Sequence, residues 1–161
     1  MGQAAGAPGP AGSGTRKSRA ECRVLVIDDN MDAADTVAMF LETEGFAVVV
    51  GYSGEDAFRA VSAAPVDVAV LDIGLPDMNG YQLAEAMRGP NDSPLLIAVT
   101  GWGGQADIDR AHKAGFDYHF TKPAPLTELL ALIDERCMGR VASREHDRGR
   151  ALRPHPRKAT D

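Results

Sequence analysis

Four polar features stand out because each lies at or just past the end of a short strand-like run: Asp28-Asp29-Asn30, Asp72, Thr100 and Lys122. Three carboxylates, a hydroxyl and an ammonium together suit phosphoryl transfer. Crowded carboxylates repel one another and raise each other's pKa unless a cation is present. A hard divalent ion such as Mg²⁺ prefers oxygen ligands and leaves room for phosphate oxygens. It would neutralise an attacking carboxylate and an incoming phosphoryl group together. Lys122 supplies a point charge for a phosphate oxygen. Thr100 supplies a neutral donor, and Asp72 is the nucleophile that forms an acyl phosphate. Taken singly, each feature has a plainer reading: an Asp-Asp pair caps a helix, a strand-end Thr is structural, and Lys-Pro marks a loop. Their joint placement carries the argument.

That placement depends on the elements around them. Val68–Leu71 is a short apolar run that stops at Asp72 and a Gly74-Leu75-Pro76 turn, which suits a strand buried on both faces. The reading along the chain gives strands over Arg23–Ile27, Phe46–Val50, Val66–Leu71, Leu95–Val99 and Asp117–Phe120. Helices are expected over 31–44, Gly54–Ala63, Tyr81–Arg88, Gln105–Ala114 and from Pro125 to about Met138. Strands alternating with helices predict an α/β fold, a doubly wound five-stranded parallel sheet with helices on both faces. All strand C-termini then emerge on one edge, where open sheets of this kind bind ligands. Asp28, Asp29, Asp72, Thr100 and Lys122 converge there.

Composition bounds the rest. The 161 residues suit one domain with tails, and 44% hydrophobic content allows a packed core. No apolar run reaches the roughly 20 residues of a membrane span, and the N-terminus lacks the apolar segment of a secretory signal. Residues 21–138 hold 7 Lys/Arg against 20 Asp/Glu, an acidic body that repels nucleic acid. Residues 1–20 are small, polar and basic, and residues 139–161 carry 7 Lys/Arg against 3 Asp/Glu; both are expected to be disordered basic tails. The Arg16–Arg19 cluster reads as a solubilising or linker segment. Cys22 and Cys137 are expected to be two free thiols in a reducing cytoplasm, a single disulfide being the alternative.

Residues 21–138 resemble the receiver domain of two-component response regulators. The matching stretches are VLVIDDN (24–30), VLDIGLPDMNGYQL (70–83), AVTGWG (98–103) and AGFDYHFTKP (114–123). The resemblance implies a flavodoxin-like strand order 2-1-3-4-5 and phosphoryl transfer from a histidine kinase or phosphotransfer protein onto Asp72. It implies Mg²⁺ held by Asp29, Asp72 and the Gly74 main-chain carbonyl, with Asp28 acting mainly through metal-bound water. Thr100 matches the switch hydroxyl and Lys122 the phosphate-binding lysine, and the Lys122–Pro123 bond resembles the family's cis peptide. His119 stands where the family places a switch aromatic, an exposed strand-edge histidine being the plainer reading. Trp102 stands where bulk influences access of hydrolytic water.

The main competitor is a Mg²⁺-dependent phosphatase with an Asp nucleophile. Such enzymes need a second acid two residues on, and this chain has Gly74 there. The expectation is therefore a signalling module, not an enzyme: cytoplasmic, a monomer or weak dimer, with no membrane association and no DNA-binding domain. Residues 139–161 are too short for a helix-turn-helix output domain. Output to an unknown partner would come from the face built by residues 101–138. The wording GWGGQADIDRAHKAGFDYHFTKP resembles receivers fused to hybrid histidine kinases more than free-standing single-domain regulators.

Overall fold

Side-chain alternation along five short strands decides the architecture. The computed structural model describes residues 16–89, 93–101 and 103–139. In chain order these form β1 (Arg23–Ile27), α1 (Met31–Thr43), β2 (Ala47–Gly51), α2 (Gly54–Ala63), β3 (Val68–Asp72), α3 (Gly80–Met87), β4 (Leu95–Thr100), α4 (Gln105–Ala114), β5 (Tyr118–Thr121) and α5 (Leu126–Met138). The strands make one parallel sheet in the order β2-β1-β3-β4-β5. This is the expected doubly wound topology.

Val24, Val26, Val68, Val70, Ile97 and Val99 point to one face and pack against α1 and α5. Leu25, Ile27, Ala69, Leu71, Leu96 and Ala98 point to the other and pack against α2, α3 and α4. A period of two along each strand thus feeds two separate cores. β3 lies centrally and is buried at all five positions. Helix starts carry ordinary polar caps: Asn30 accepts from Ala33 N–H, Ser53 from Asp56 N–H and Asn79 from Tyr81 N–H. α4 ends on Gly115 at φ 108°, a left-handed residue where glycine is favoured. No helix among the described residues is long and apolar enough to cross a membrane.

The structure corrects two expectations. Cys22 and Cys137 are not free thiols; they form a disulfide across 115 residues, with Cα atoms 6.0 Å apart. Local spacing carried no sign of this, because only the fold brings the start of β1 to the end of α5. Residues 16–20 are not a free tail either. Arg19–Glu21 form a single 3₁₀ turn, and the Lys17 amide donates to the Cys137 carbonyl at 2.7 Å. Arg19 forks onto the Asp134 carboxylate at 2.9 and 2.7 Å and also donates to the Glu44 carbonyl at 2.8 Å. Its partners lie far away in sequence, so a basic cluster that reads as solvated is bound to the acidic body. Residues 1–15 and 140–161, the rest of the expected tails, lie outside the described residues, as does Trp102.

Candidate functional site

The strand register delivers the site. β3 ends in Asp72, paired with Val99, and the Lys122 amide donates to the Thr100 carbonyl at 2.8 Å. β1 ends one residue before Asp28, whose amide donates to the Gly51 carbonyl at 3.2 Å. Alternation then puts Asp28, Asp72 and Lys122 on the α1/α5 side of the rim. The Lys122 ammonium sits 2.9 and 3.1 Å from the two Asp28 carboxylate oxygens and 3.5 Å from Asp72 Oδ2. Asp28 and Asp72 are buried, Asp29 is exposed and Lys122 is half-buried.

The Asp-Asp pair is not the cap of α1. Asn30 fills that role, and Asp28 accepts the Asn30 amide at 2.9 Å. The carboxylates of Asp28, Asp29 and Asp72 therefore remain for the site. One oxygen from each lies within 4.8 Å of the others. The donor set is all hard oxygen, which fits Mg²⁺ chemistry. A cavity of about 440 Å³ lies against the cluster, lined on its polar side by Asp28, Asp72 and Lys122.

Burial pushes the Asp72 carboxyl up to about 6, helped by the hydrogen bond and negative charge of Asp28. The Gly74 amide, donating to Asp72 Oδ1 at 3.1 Å, and the Lys122 charge pull the other way without cancelling it. The site is thus short of positive charge, and a second cation would relieve it.

The loop after Asp72 is anchored from both sides, which sequence reasoning missed. The Asp77 carboxylate accepts the amides of Gly54 and Glu55 at 2.9 and 3.1 Å. Those bonds, the Gly54 amide first, hold its pKa below the ordinary carboxylate range. Tyr81 lies under the Arg110 guanidinium at 4.3 Å and ties α3 to α4. Gly80 closes the loop by donating to the Ile73 carbonyl at 3.0 Å. A Cβ there would stand 2.5 Å from Ile73 Cα and 2.9 Å from the Asp72 carbonyl oxygen. Both neighbours are backbone, so Gly80→Ala must displace the segment that carries Asp72. The expected cost is about 2 kcal/mol, read from urea unfolding. The Asn79-Gly80 dipeptide was the available signal.

Thr100 and His119 are each 1% exposed. The β4–β5 register pairs Ala98 with His119 and Thr100 with Thr121, so both side chains belong to the α4 side of the sheet. The exposed strand-edge reading of His119 is therefore wrong. Residues Lys122 and Pro123 are joined by a cis peptide, as the resemblance implied.

An open parallel sheet with a carboxylate–ammonium cluster at its C-terminal rim defines a class: doubly wound α/β domains that carry their site at the strand ends. Comparison with known proteins specifies it further. The response regulator receiver domain model matches residues 24–134, and the chain belongs to that family, whose members act as phosphoacceptors in two-component signalling. The regulatory protein VanRc of Enterococcus gallinarum is 35% identical over 111 residues, 69% of this chain and 48% of that protein. The chain spans about half the length of that relative and of the next ones it matches. A CheY-like receiver domain from Methanospirillum hungatei JF-1 superposes with a TM-score of 0.67 at 28% identity, covering 72% of this chain and 93% of the other. A response regulator from Burkholderia pseudomallei, solved with a phosphorylated aspartic acid, a calcium ion and citrate, gives 0.65 at 28% identity, covering 70% and 66%.

Proposed function

We propose that Asp72 is the phosphoacceptor of this chain and that a histidine kinase or phosphotransfer protein is its donor. One observation carries the reading: Lys122 reaches both Asp28 and Asp72 at the rim where β1 and β3 end. An Asp72 carboxylate oxygen attacks the phosphorus of the donor's phosphohistidine. The P–N bond breaks, the imidazole nitrogen keeps the electron pair, and an acyl phosphate remains on Asp72. Lys122 shifts from the carboxylates onto a phosphoryl oxygen as that charge arrives.

Asp28, Asp29, Asp72 and the Gly74 carbonyl would hold Mg²⁺, which when bound offsets the crowded negative charge. Thr100 offers its hydroxyl to the phosphoryl group. His119, sharing a sheet face with Thr100, reports that movement to the surface built by residues 101–138. Output through that surface to a partner protein is part of the same proposal. Turnover is not: position 74, two beyond the nucleophile, has no carboxylate to act as general acid or base.

Incubation with Mg²⁺ and a small-molecule phosphodonor, followed by intact-mass measurement, gives one labile phosphoryl adduct per chain. Continuous phosphate release at enzyme-like rates would favour the phosphatase instead. No adduct from small donors or from histidine kinases would end the phosphoacceptor proposal.

A further inference from the structure

The chain has two cysteines, and the fold places them together across 115 residues. They sit just outside residues 24–134, the span shared with the family, so the bond encloses the whole domain. Cys22 precedes β1 and Asp28 follows it, so the bond lies at the pole opposite the acidic site.

The segment just before Cys22 is held weakly on its own. The 3₁₀ turn Arg19–Glu21 has no buried residue. The segment is otherwise tied by the Lys17 amide on the Cys137 carbonyl, by Lys17–Asp67 at 2.8 Å, and by Arg19 on the Asp134 carboxylate at 2.9 and 2.7 Å and on the Glu44 carbonyl and carboxylate at 2.8 and 3.1 Å. Each of these ion pairs is between a fifth and two fifths exposed, and pairs of that kind contribute little individually. Cys22 and Cys137 themselves are buried in the core packed against α1 and α5, whereas residues 16–21 add no side chain to either core. Cys137 is the second-last residue of α5 and is buried with Cys22, so a reductant reaches the bond when the helix end opens locally.

We propose that Cys22 and Cys137 form a redox-responsive staple, and that a dithiol reductant opens it to release residues 16–21 while the sheet and the acidic site stay folded. One thiolate of the reductant attacks a sulfur of the pair, giving a mixed disulfide and a protein thiolate that takes up a proton. The second thiol of the reductant resolves the mixed disulfide, freeing the other cysteine as a thiol. Two electrons pass to the protein, and the reductant leaves as its cyclic disulfide. Release frees the Asp134 and Glu44 carboxylates and the Phe46 ring, which Arg19 covers at 5.2 Å. The domain then carries two inputs at opposite poles, a phosphoryl group at one and thiol redox state at the other.

The test uses the full chain purified in air without thiols, with dithiothreitol as the probe dithiol. Denatured protein has no titratable thiol before treatment; two thiols at that stage would overturn the proposal. Dithiothreitol without denaturant exposes two thiols. Amide exchange at Lys17 and Cys22 then rises about tenfold or more, while Val68–Asp72 exchange is unchanged. Thiols that appear only in denaturant, exchange that rises across the whole sheet, or exchange that does not move would each overturn it. The double variant Cys22→Ala, Cys137→Ala shows the released exchange pattern from the start and ignores dithiothreitol; a response from that variant would also sink the proposal.

Discussion

Asp72→Asn abolishes the phosphoryl adduct and, in metal-free buffer at neutral pH, makes the domain more stable. The first effect follows from removing the proposed nucleophile. The second follows from the direction in which the fold displaces this carboxyl, from 3.8 up to about 6. Between those values the folded chain binds more protons than the unfolded one, so stability falls as pH rises through the window. Above about pH 6 the penalty is fully present; below about 4 it is gone. The displacement corresponds to at most about 3 kcal/mol, part of it shared with Asp28. Asparagine keeps an acceptor for the Gly74 amide and carries no charge. The variant should therefore melt roughly 5 °C or more above the parent at pH 7, with the gap closing near pH 4. Mg²⁺ should raise the parent's melting temperature much more than the variant's. Equal melting temperatures at pH 7 without metal would mean the carboxylates are not under electrostatic load.

Lys122→Met is the converse case, removing the cation that touches both Asp28 and Asp72. Burial lowers the lysine pKa, but the hydrogen bond and charge of Asp28, with the charge of Asp72, outweigh burial and raise it. Lys122 therefore stays charged at neutral pH and offsets the two acids. Without it the metal-free domain loses about 2 kcal/mol, a figure discounted for partial exposure of the ammonium. Phosphorylation from a small donor slows by about 100-fold or more, because a preorganised charge on the transferring group is gone. The two variants thus separate along opposite axes. Both lose transfer, while the metal-free fold gains stability in one and loses it in the other. Paired thermal melts and adduct kinetics check this directly.

Much of this was legible in the sequence, for reasons specific to the residues. Apolar runs ending in Asp28, Asp72, Thr100 and Lys122 read correctly because a buried parallel strand tolerates little polarity until it leaves the sheet. Strand limits were less legible. β3 begins at Val68 and not Val66, because the Asp67 carboxylate turns back to accept the Arg23 amide at 2.9 Å and the Lys17 ammonium at 2.8 Å. β4 extends to Thr100 and β5 to Thr121 because each residue finds a partner across the pair, which neither strand announces alone. Contacts set by the closed fold were not legible at all. Arg19 meets Asp134 across 115 residues, and Asp77 caps a helix that starts 23 residues before it. No local pattern encodes such meetings.

Cα atoms 6.0 Å apart at the disulfide mean that the polypeptide enters and leaves the domain at nearly one point. A folded unit built this way behaves like a bead on a loop. It can be spliced into a surface turn of a host protein without prising the flanking strands apart, since the gap to be bridged is about that between neighbouring strands. Reshuffling of such a unit among longer polypeptides then needs little adjustment at the junctions. The same closeness makes the domain a natural subject for circular permutation, with new ends cut in an exposed loop on the far side.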